Sequence, residues 1–144
     1  MKTLKFVFLP LLLSIILGDT PYTDTFDLEI VVTNINTLEG TIELGVFNNT
    51  KTFLQEGKEY KTYSKRVISD TIVFLLNDFK KDDYAFSIYH DINSDKECNL
   101  SFFGIPKEPF GFSKNFRPRL SRPSFKDCEI NVYQDTTIVI RLID

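Results

Sequence analysis

Alternating hydrophobic and polar residues run through much of the chain after residue 25. In 26–33 the apolar side chains of Phe26, Leu28, Ile30 and Val32 share one face, and 41–47 repeats this pattern. A period of two indicates strands with one buried face. The polar stretch between them ends in Gly40, which is typical of a turn. We therefore predict an antiparallel hairpin.

The same alternation continues along the chain. Further strands are predicted at 65–69, 71–76 and 84–90, and 128–133 with 137–142 forms a predicted closing hairpin. The polar segment 48–64 indicates a short helix or an irregular crossing. Six or seven short strands without a long amphipathic helix predict an all-β fold, an antiparallel β-sandwich of the immunoglobulin-like or transthyretin-like kind.

A long loop rich in Gly, Pro and Phe follows the strand that ends near residue 90. Loops of this length inside a compact domain are usually functional or disordered, and so many aromatic residues argue for order. Two interpretations stay open. Phe110 and Phe112 could form an exposed platform for a sugar ring or a peptide, or the rings could plug one end of the sandwich.

The first 18 residues have the pattern of a secretory signal. Lys2 and Lys5 precede an apolar run, 6–17, that is short for a spanning helix, and Gly18 suits cleavage. We expect residues 1–18 to be removed, leaving one sandwich domain at 19–144 that is secreted or periplasmic and not transmembrane. An uncleaved anchor is the alternative. Removal of two lysines changes the net charge from −3 to −5.

The only two cysteines are Cys98 and Cys128. In an exported chain an even pair predicts one disulfide bond. Two unpaired thiols, acting as small apolar groups, are the alternative.

The segment around His90, Asp91 and Asn93, followed by 104–108 (GIPKE) and 111–113 (GFS), resembles the domain of unknown function 2141 family of small exported bacterial proteins. The chain departs from the family pattern at Asp95 and Lys96, where a second Asn-Gly pair is usual. The resemblance implies a β-sandwich and no known activity.

Four oxygen-bearing side chains occupy alternate positions in the loop after residue 90: Asp91, Asn93, Asp95 and Asn99. This spacing is that of a calcium-binding ladder, although Lys96 replaces the usual glycine and Phe102 the bidentate glutamate. The competing interpretation is a turn that caps itself with local side-chain hydrogen bonds. Calcium is thus the one cofactor that the sequence raises, and no other is predicted.

Basic residues are concentrated between 107 and 126. This segment contains six lysines and arginines and only one acid, Glu108, so its net charge is +5. Such asymmetry can attract an anionic glycan or a lipid head group. A solvated loop that pairs with nearby acids is the plainer alternative. The predicted ligand-binding residues are Phe110, Phe112, Lys114, Arg117 and Arg119. No charge block typical of nucleic-acid binding is present.

Three functional hypotheses follow. The first is a non-enzymatic binding module whose 90–122 region meets an envelope or extracellular ligand, whether glycan, lipid head group or protein. The second is a structural accessory protein of the envelope without a small ligand. The third is a hydrolase-like enzyme using His90, Asp91 and Glu108, which lacks a recognisable nucleophile motif. The simpler interpretation of His90 is a residue at the end of a strand that forms a hydrogen bond within the rim of the sheet.

Overall fold

The computed structural model describes residues 24–100, 106–119 and 121–144. The predicted signal at 1–18 and the aromatic residues Phe102 and Phe103 lie outside these ranges. The strands are β1 Thr25–Thr33, β2 Thr41–Phe47, β3 Lys61–Arg66, β4 Ile72–Lys80, β5 Asp82–Asp91, β6 Phe110–Phe112, β7 Ile130–Val132 and β8 Thr136–Arg141. A 3-10 turn, Ser113–Asn115, and one short helix, α1 Phe125–Cys128, complete the described elements.

The strands form two sheets, which confirms the predicted all-β sandwich. The three-stranded sheet has the order β4-β1-β8, in which β1 pairs antiparallel with β4 and parallel with β8. The five-stranded sheet has the order β3-β2-β5-β6, and β7 also pairs with β5. No helix within the described ranges is long and apolar enough to cross a bilayer.

The two predicted hairpins are wrong. β1 and β2 lie in different sheets, and so do β7 and β8. The polar stretch 34–40 therefore crosses between the sheets instead of turning back within one. The alternation had identified the buried faces of β1 and β2 correctly, but a strand with one buried face fits either layer of a sandwich equally well.

The core lies between the inner faces of the two sheets. Leu28, Ile30 and Val32 of β1 are at most 1% exposed, and β5 contributes Tyr84 and Phe86 from the opposite sheet at the same level. Full burial of one such side chain stabilises the fold by about 1.5–3 kcal/mol. The segment 48–64, predicted as a short helix or an irregular crossing, contains turns and the start of β3, which runs from Lys61 to Arg66 and not over the predicted 65–69. The short helix α1 lies where a strand was predicted to begin.

Candidate functional site

Asp91, the last residue of β5, organises the loop that follows it. Its side chain is fully buried, and its two oxygens accept hydrogen bonds from the backbone N–H groups of Asp95 (3.2 Å) and Lys96 (2.9 Å). Lys96 has a φ of +64°, a left-handed conformation that this close approach requires. The carboxylate thus closes the first turn of the loop.

Asp95 forms the centre of a second, exposed set of bonds. Its carboxylate accepts from the side-chain amides of Asn99 (2.8 Å) and Asn93 (2.7 Å) and from the Glu97 backbone (2.9 Å). These bonds, with Asn99 the largest contribution, lower the pKa of Asp95. The side chains predicted to bind calcium therefore bond mainly to one another and to the backbone.

The calcium prediction has no geometric support in the part of the chain that is described. No group of three or more His, Cys, Asp or Glu side chains there is arranged to hold a metal ion. The oxygens of Asp91 and Asp95 point at N–H donors, and the arrangement is that of a self-capped turn. Sequence spacing alone could not distinguish the two, because both need short polar side chains at alternate positions.

Glu108 ties the far end of the loop back to β5. Its Oε1 accepts from the Ile92 N–H at 3.1 Å, while its buried Oε2 has no hydrogen-bond partner among the described residues. Burial raises the pKa of Glu108, the nearby Asp91 and Asp95 raise it further, and the amides of Ile92 and Asn99 oppose the change. Alongside, the Lys107 N–H donates to the Asn99 carbonyl at 2.7 Å, which pairs the two arms of the loop.

His90 is fully buried on the inner face of β5. Its Nε2 lies 2.7 Å from the Glu39 carbonyl oxygen, which can only accept, so this nitrogen carries the proton. Its Nδ1 has no partner among the described residues. Since successive strand residues point to opposite faces, His90 and Asp91 do not face a common cleft.

The predicted disulfide bond is not formed, because Cys98 and Cys128 are both free thiols. Cys128 belongs to a buried cluster with Ala85, near the start of β5, whereas Cys98 follows the end of that strand. About 20 Å of strand separates Ala85 from Asp91. A disulfide requires Cα atoms within about 7 Å. Burial raises the pKa of Cys128 to about 12.

An aromatic cluster holds the second half of the long segment. Phe112 is only 8% exposed and packs in a buried group with Phe47 and Phe125, and the half-buried Phe110 stacks edge-on against Phe112 at 5.8 Å. Phe112 is therefore a core residue, which corrects its predicted role as a ligand contact. The aromatic rings described here match the plug interpretation.

Gly111 lets this plug approach the three-stranded sheet. A Cβ at this position would lie 2.8 Å from Cγ2 of Ile140 and 3.1 Å from the Arg141 carbonyl oxygen. Next to it, the Ser113 hydroxyl is fully buried and bonds to the Cys128 carbonyl, while the Phe86 N–H donates to it at 3.0 Å. The plug is thus fixed to both β5 and α1.

The predicted basic residues Lys114, Arg117 and Arg119 are all exposed. Arg117 lines a groove of about 290 Å³ between β8 and the 3-10 turn, together with Thr33, Asn115, Val139, Arg141 and Ile143. Asn115 fixes this edge: its side chain donates to the Val139 carbonyl (3.0 Å) and accepts from the Arg141 N–H (2.7 Å).

Arg141 is the residue of this groove that sequence reasoning missed. Its guanidinium donates to the side-chain oxygen of Asn34 at 3.2 Å, so this bond leaves its charge without a neutralising carboxylate. The nearest acid along the chain, Asp144, accepts from Asn36 at 2.8 Å. No local motif links Arg141 to Arg117. The register of β8 beside the 3-10 turn brings them together.

Comparison with known proteins gives one result. The family model of the domain of unknown function 2141, described as an uncharacterized protein conserved in bacteria, matches residues 30–140. This range includes Asp91, Glu108, Phe112 and Arg117, and it ends one residue before Arg141. No curated protein and no solved structure matches the chain.

Proposed function

Because the chain belongs to the domain of unknown function 2141 family, for which no activity is described, we propose a function from the geometry alone. The protein acts as an exported, non-enzymatic binding module for an anionic ligand. Its site is the basic groove lined by Arg117 and Arg141, flanked by the exposed Lys114 and Arg119. Export itself rests on the signal-like pattern of residues 1–18.

The observation that carries this proposal is the pair of arginines in one groove. Arg117 and Arg141 both line it, and among the described residues no acidic side chain does. Arginine presents a planar fork of donors that matches phosphate, sulfate and carboxylate groups. The Thr33 hydroxyl and the Asn115 amide add neutral polar groups to the same lining.

The surroundings of the groove favour a binding role over a structural one. The segment 107–126 carries a charge of +5 within a chain whose formal net charge is −3. A field concentrated on one rim raises the local concentration of anions and speeds their association. Phe112, which would otherwise compete as a contact residue, is packed in the buried aromatic cluster.

An enzymatic role has weaker support. His90 is fully buried, and its protonated nitrogen is used by the Glu39 carbonyl. Asp91 is also fully buried and bonds to two backbone amides. A general base must reach the proton that it removes, and neither side chain meets solvent in this arrangement.

The test measures binding of two anionic probes to the folded protein. Vesicles of phosphatidylglycerol in phosphatidylcholine present lipid phosphate, and dextran sulfate presents a soluble sulfated glycan. We expect the Arg117→Ala/Arg141→Ala variant to bind its preferred probe at least about ten-fold more weakly, since one charge-assisted hydrogen bond contributes about 1.5–3 kcal/mol. Added salt should weaken wild-type binding in the same direction.

A charge-matched control separates a site from general attraction. Lys58 lies just before β3, and Arg66 is the last residue of β3. Both are exposed, and β3 belongs to the five-stranded sheet, whereas the groove lies on the three-stranded sheet. The Lys58→Ala/Arg66→Ala variant removes the same charge and should retain nearly full binding. Equal losses in both variants would show that net charge, and not the groove, attracts the probe. Absence of binding to either probe would reject the proposal and favour the structural accessory role.

A further inference from the structure

The outer face of the three-stranded sheet carries an apolar row across all three strands. Val73 of β4, Val31 of β1 and Val139 of β8 are partners in register, and their side chains point away from the core. Val139 is 50% exposed, and Leu75, one pleat along β4, is 74% exposed. Large apolar side chains placed together on an open sheet face mark a surface that another molecule covers.

The two ends of this face have opposite charge. On one side of the valine row lies an acidic groove of about 370 Å³ whose lining includes Asp27, Glu29 and Asp135. On the other side lies the basic groove with Arg117 and Arg141. The Glu29 carboxylate leans toward β8, where it accepts from the Thr137 hydroxyl at 3.0 Å. The face is therefore acidic, apolar and basic in succession along the strand direction.

A surface with this order is complementary to itself. If a second copy is placed face to face about a two-fold axis that follows the valine row, each valine row meets its counterpart. The rotation reverses the strand direction, so the basic end of each copy meets the acidic end of the other. Isologous pairing of one patch with itself is the commonest form of protein oligomer.

We propose that the outer face of the three-stranded sheet is a homodimer interface with this two-fold arrangement. Arg141 of each copy then lies against Thr137 and Glu29 of the other, because Thr137 and Arg141 are equally far from Val139 along β8. This inference goes beyond the proposed ligand binding. It shares Val139 and Arg141 with the basic groove, but it also depends on the acidic groove and on Leu75, which lie outside it.

The area of this outer sheet face indicates how tightly the two copies should associate. Three strands about 4.8 Å apart, over five residues at about 3.3 Å each, give a footprint of roughly 250 Å² before the groove residues are added. Stable interfaces bury about 800 Å² on each partner. The dimer is therefore weak and depends on concentration, with a dissociation constant on the order of 10–1000 µM.

The test is sedimentation velocity on the folded protein across concentrations up to about 1 mM, the weak end of the expected range. Wild type should shift from monomer to dimer. Glu29→Arg places arginine against arginine and should weaken the dimer at least ten-fold, whereas Glu56→Arg, an equal reversal at an exposed turn, should not. Wild type that stays monomeric throughout, or equal effects of the two variants, would overturn the proposal.

The exchanged variant Glu29→Arg/Arg141→Glu identifies the contact. Within one copy Glu29 is in register with Thr137, four residues from Arg141, which corresponds to about 13 Å along the strand. The two side chains therefore do not pair within one copy, and recovery of the dimer in the exchanged variant must come from contact between copies. A folded exchanged variant that remains monomeric would overturn the two-fold geometry.

Cross-linking adds a measurement that does not depend on charge. Val31 lies at the centre of the row, next to the axis, so residue 31 of one copy should face residue 31 of the other across about 10 Å. Val31→Cys, made together with Cys98→Ser, should be joined by a short bis-maleimide reagent. Glu56→Cys in the same background should not. Equal yields would count against the axis.

Measuring probe binding and dimer formation on the same variant separates the dimer proposal from the ligand proposal. Glu29 and Val31 lie outside the basic groove, so Glu29→Arg should leave probe binding by monomeric protein unchanged. Loss of dimer with retained binding supports both proposals. Retained dimer with no binding of either probe would reject the ligand proposal alone.

Discussion

The long segment between β5 and β7 contains two halves that are held by different forces. The described residues of the first, 92–100 and 106–109, are held by hydrogen bonds to two acids: Asp91 accepts from Asp95 and Lys96, and Glu108 accepts from Ile92. Those of the second, 110–119 and 121–128, are held by packing of Phe112 and Phe125 against the start of β5. The second half also contains Asn115 and Arg117 of the basic groove.

The difference shows how one strand can anchor a long connection at both ends. Hydrogen bonds are directional, and they fix a turn that has few apolar groups to bury. Burial of aromatic rings is stronger in total but less directional, and it suits a segment that must lie flat on a sheet. If this account is right, damage to one half should leave the other largely intact.

The largest effect is expected at Phe112. Phe112→Ala removes a ring that is 8% exposed and leaves a cavity among Phe47, Phe110 and Phe125. We expect the free energy of unfolding to fall by about 3–4 kcal/mol, measured by urea denaturation. Phe110→Ala, at a half-buried position, should cost clearly less. Equal costs, or a stable Phe112→Ala protein, would contradict the role of the ring as a core plug.

A smaller effect is expected at Asp91. Asp91→Ala removes a fully buried carboxylate, which leaves the Lys96 amide without its acceptor and the Asp95 amide with only the side-chain oxygen of Asn93 at 3.2 Å. The expected loss of stability is about 1–2 kcal/mol, because one unsatisfied group costs about 1–3 kcal/mol and water can reach the exposed residues 95 and 96.

Amide hydrogen exchange locates this effect. In Asp91→Ala the amide of residue 96 should exchange much faster and that of residue 95, which keeps its bond to Asn93, somewhat faster, while those of Ser87 to Tyr89, which pair with β6, should keep their protection. Asp91→Asn retains one acceptor oxygen and should show about half the loss of stability. Faster exchange throughout β6 would mean that the two halves are not independent.

The sequence was sufficient to predict most of the strands and the polar turn, but not β6, the true bounds of β3 or the pairing of the strands. Alternation in 26–33 identified the buried face of β1, yet its neighbours β4 and β8 are distant in sequence and share its period. The spacing of Asp91 and Asp95 indicated a compact turn because Asx side chains reach amides two to five residues ahead.

Features that depend on which strands pair, and in which register, could not be predicted from the sequence. Arg141 and Arg117 meet because β8 pairs in parallel with β1 and lies beside the 3-10 turn, and nothing local in either sequence records this pairing. The disulfide prediction failed for a related reason. Cysteine count and compartment indicate a bridge, but the two thiols belong to the different halves of the segment, Cys98 to the hydrogen-bonded half and Cys128 to the aromatic half.

The smallest effect, at Glu108, tests the hydrogen-bonded half alone. Burial raises the pKa of Glu108 above its ordinary value of 4.5, so the folded protein binds this proton more tightly than the unfolded chain does. The charged form is thus a cost to folding at pH values above the folded pKa. As the pH falls through the folded pKa towards 4.5, protonation removes that cost and the wild type gains stability.

Glu108→Gln imitates the protonated acid at every pH. It should be more stable than wild type at pH 8 by less than about 1 kcal/mol, since partial exposure screens the charge. This stability advantage should shrink as the pH is lowered towards 4.5, the ordinary pKa of a glutamate. Glu56→Gln, an exposed control, should show no such trend. An advantage that grows on acidification would mean that the Ile92 amide, and not burial, dominates at Glu108. The hydrogen-bonded half would then be held in part by a favourable charge at Glu108.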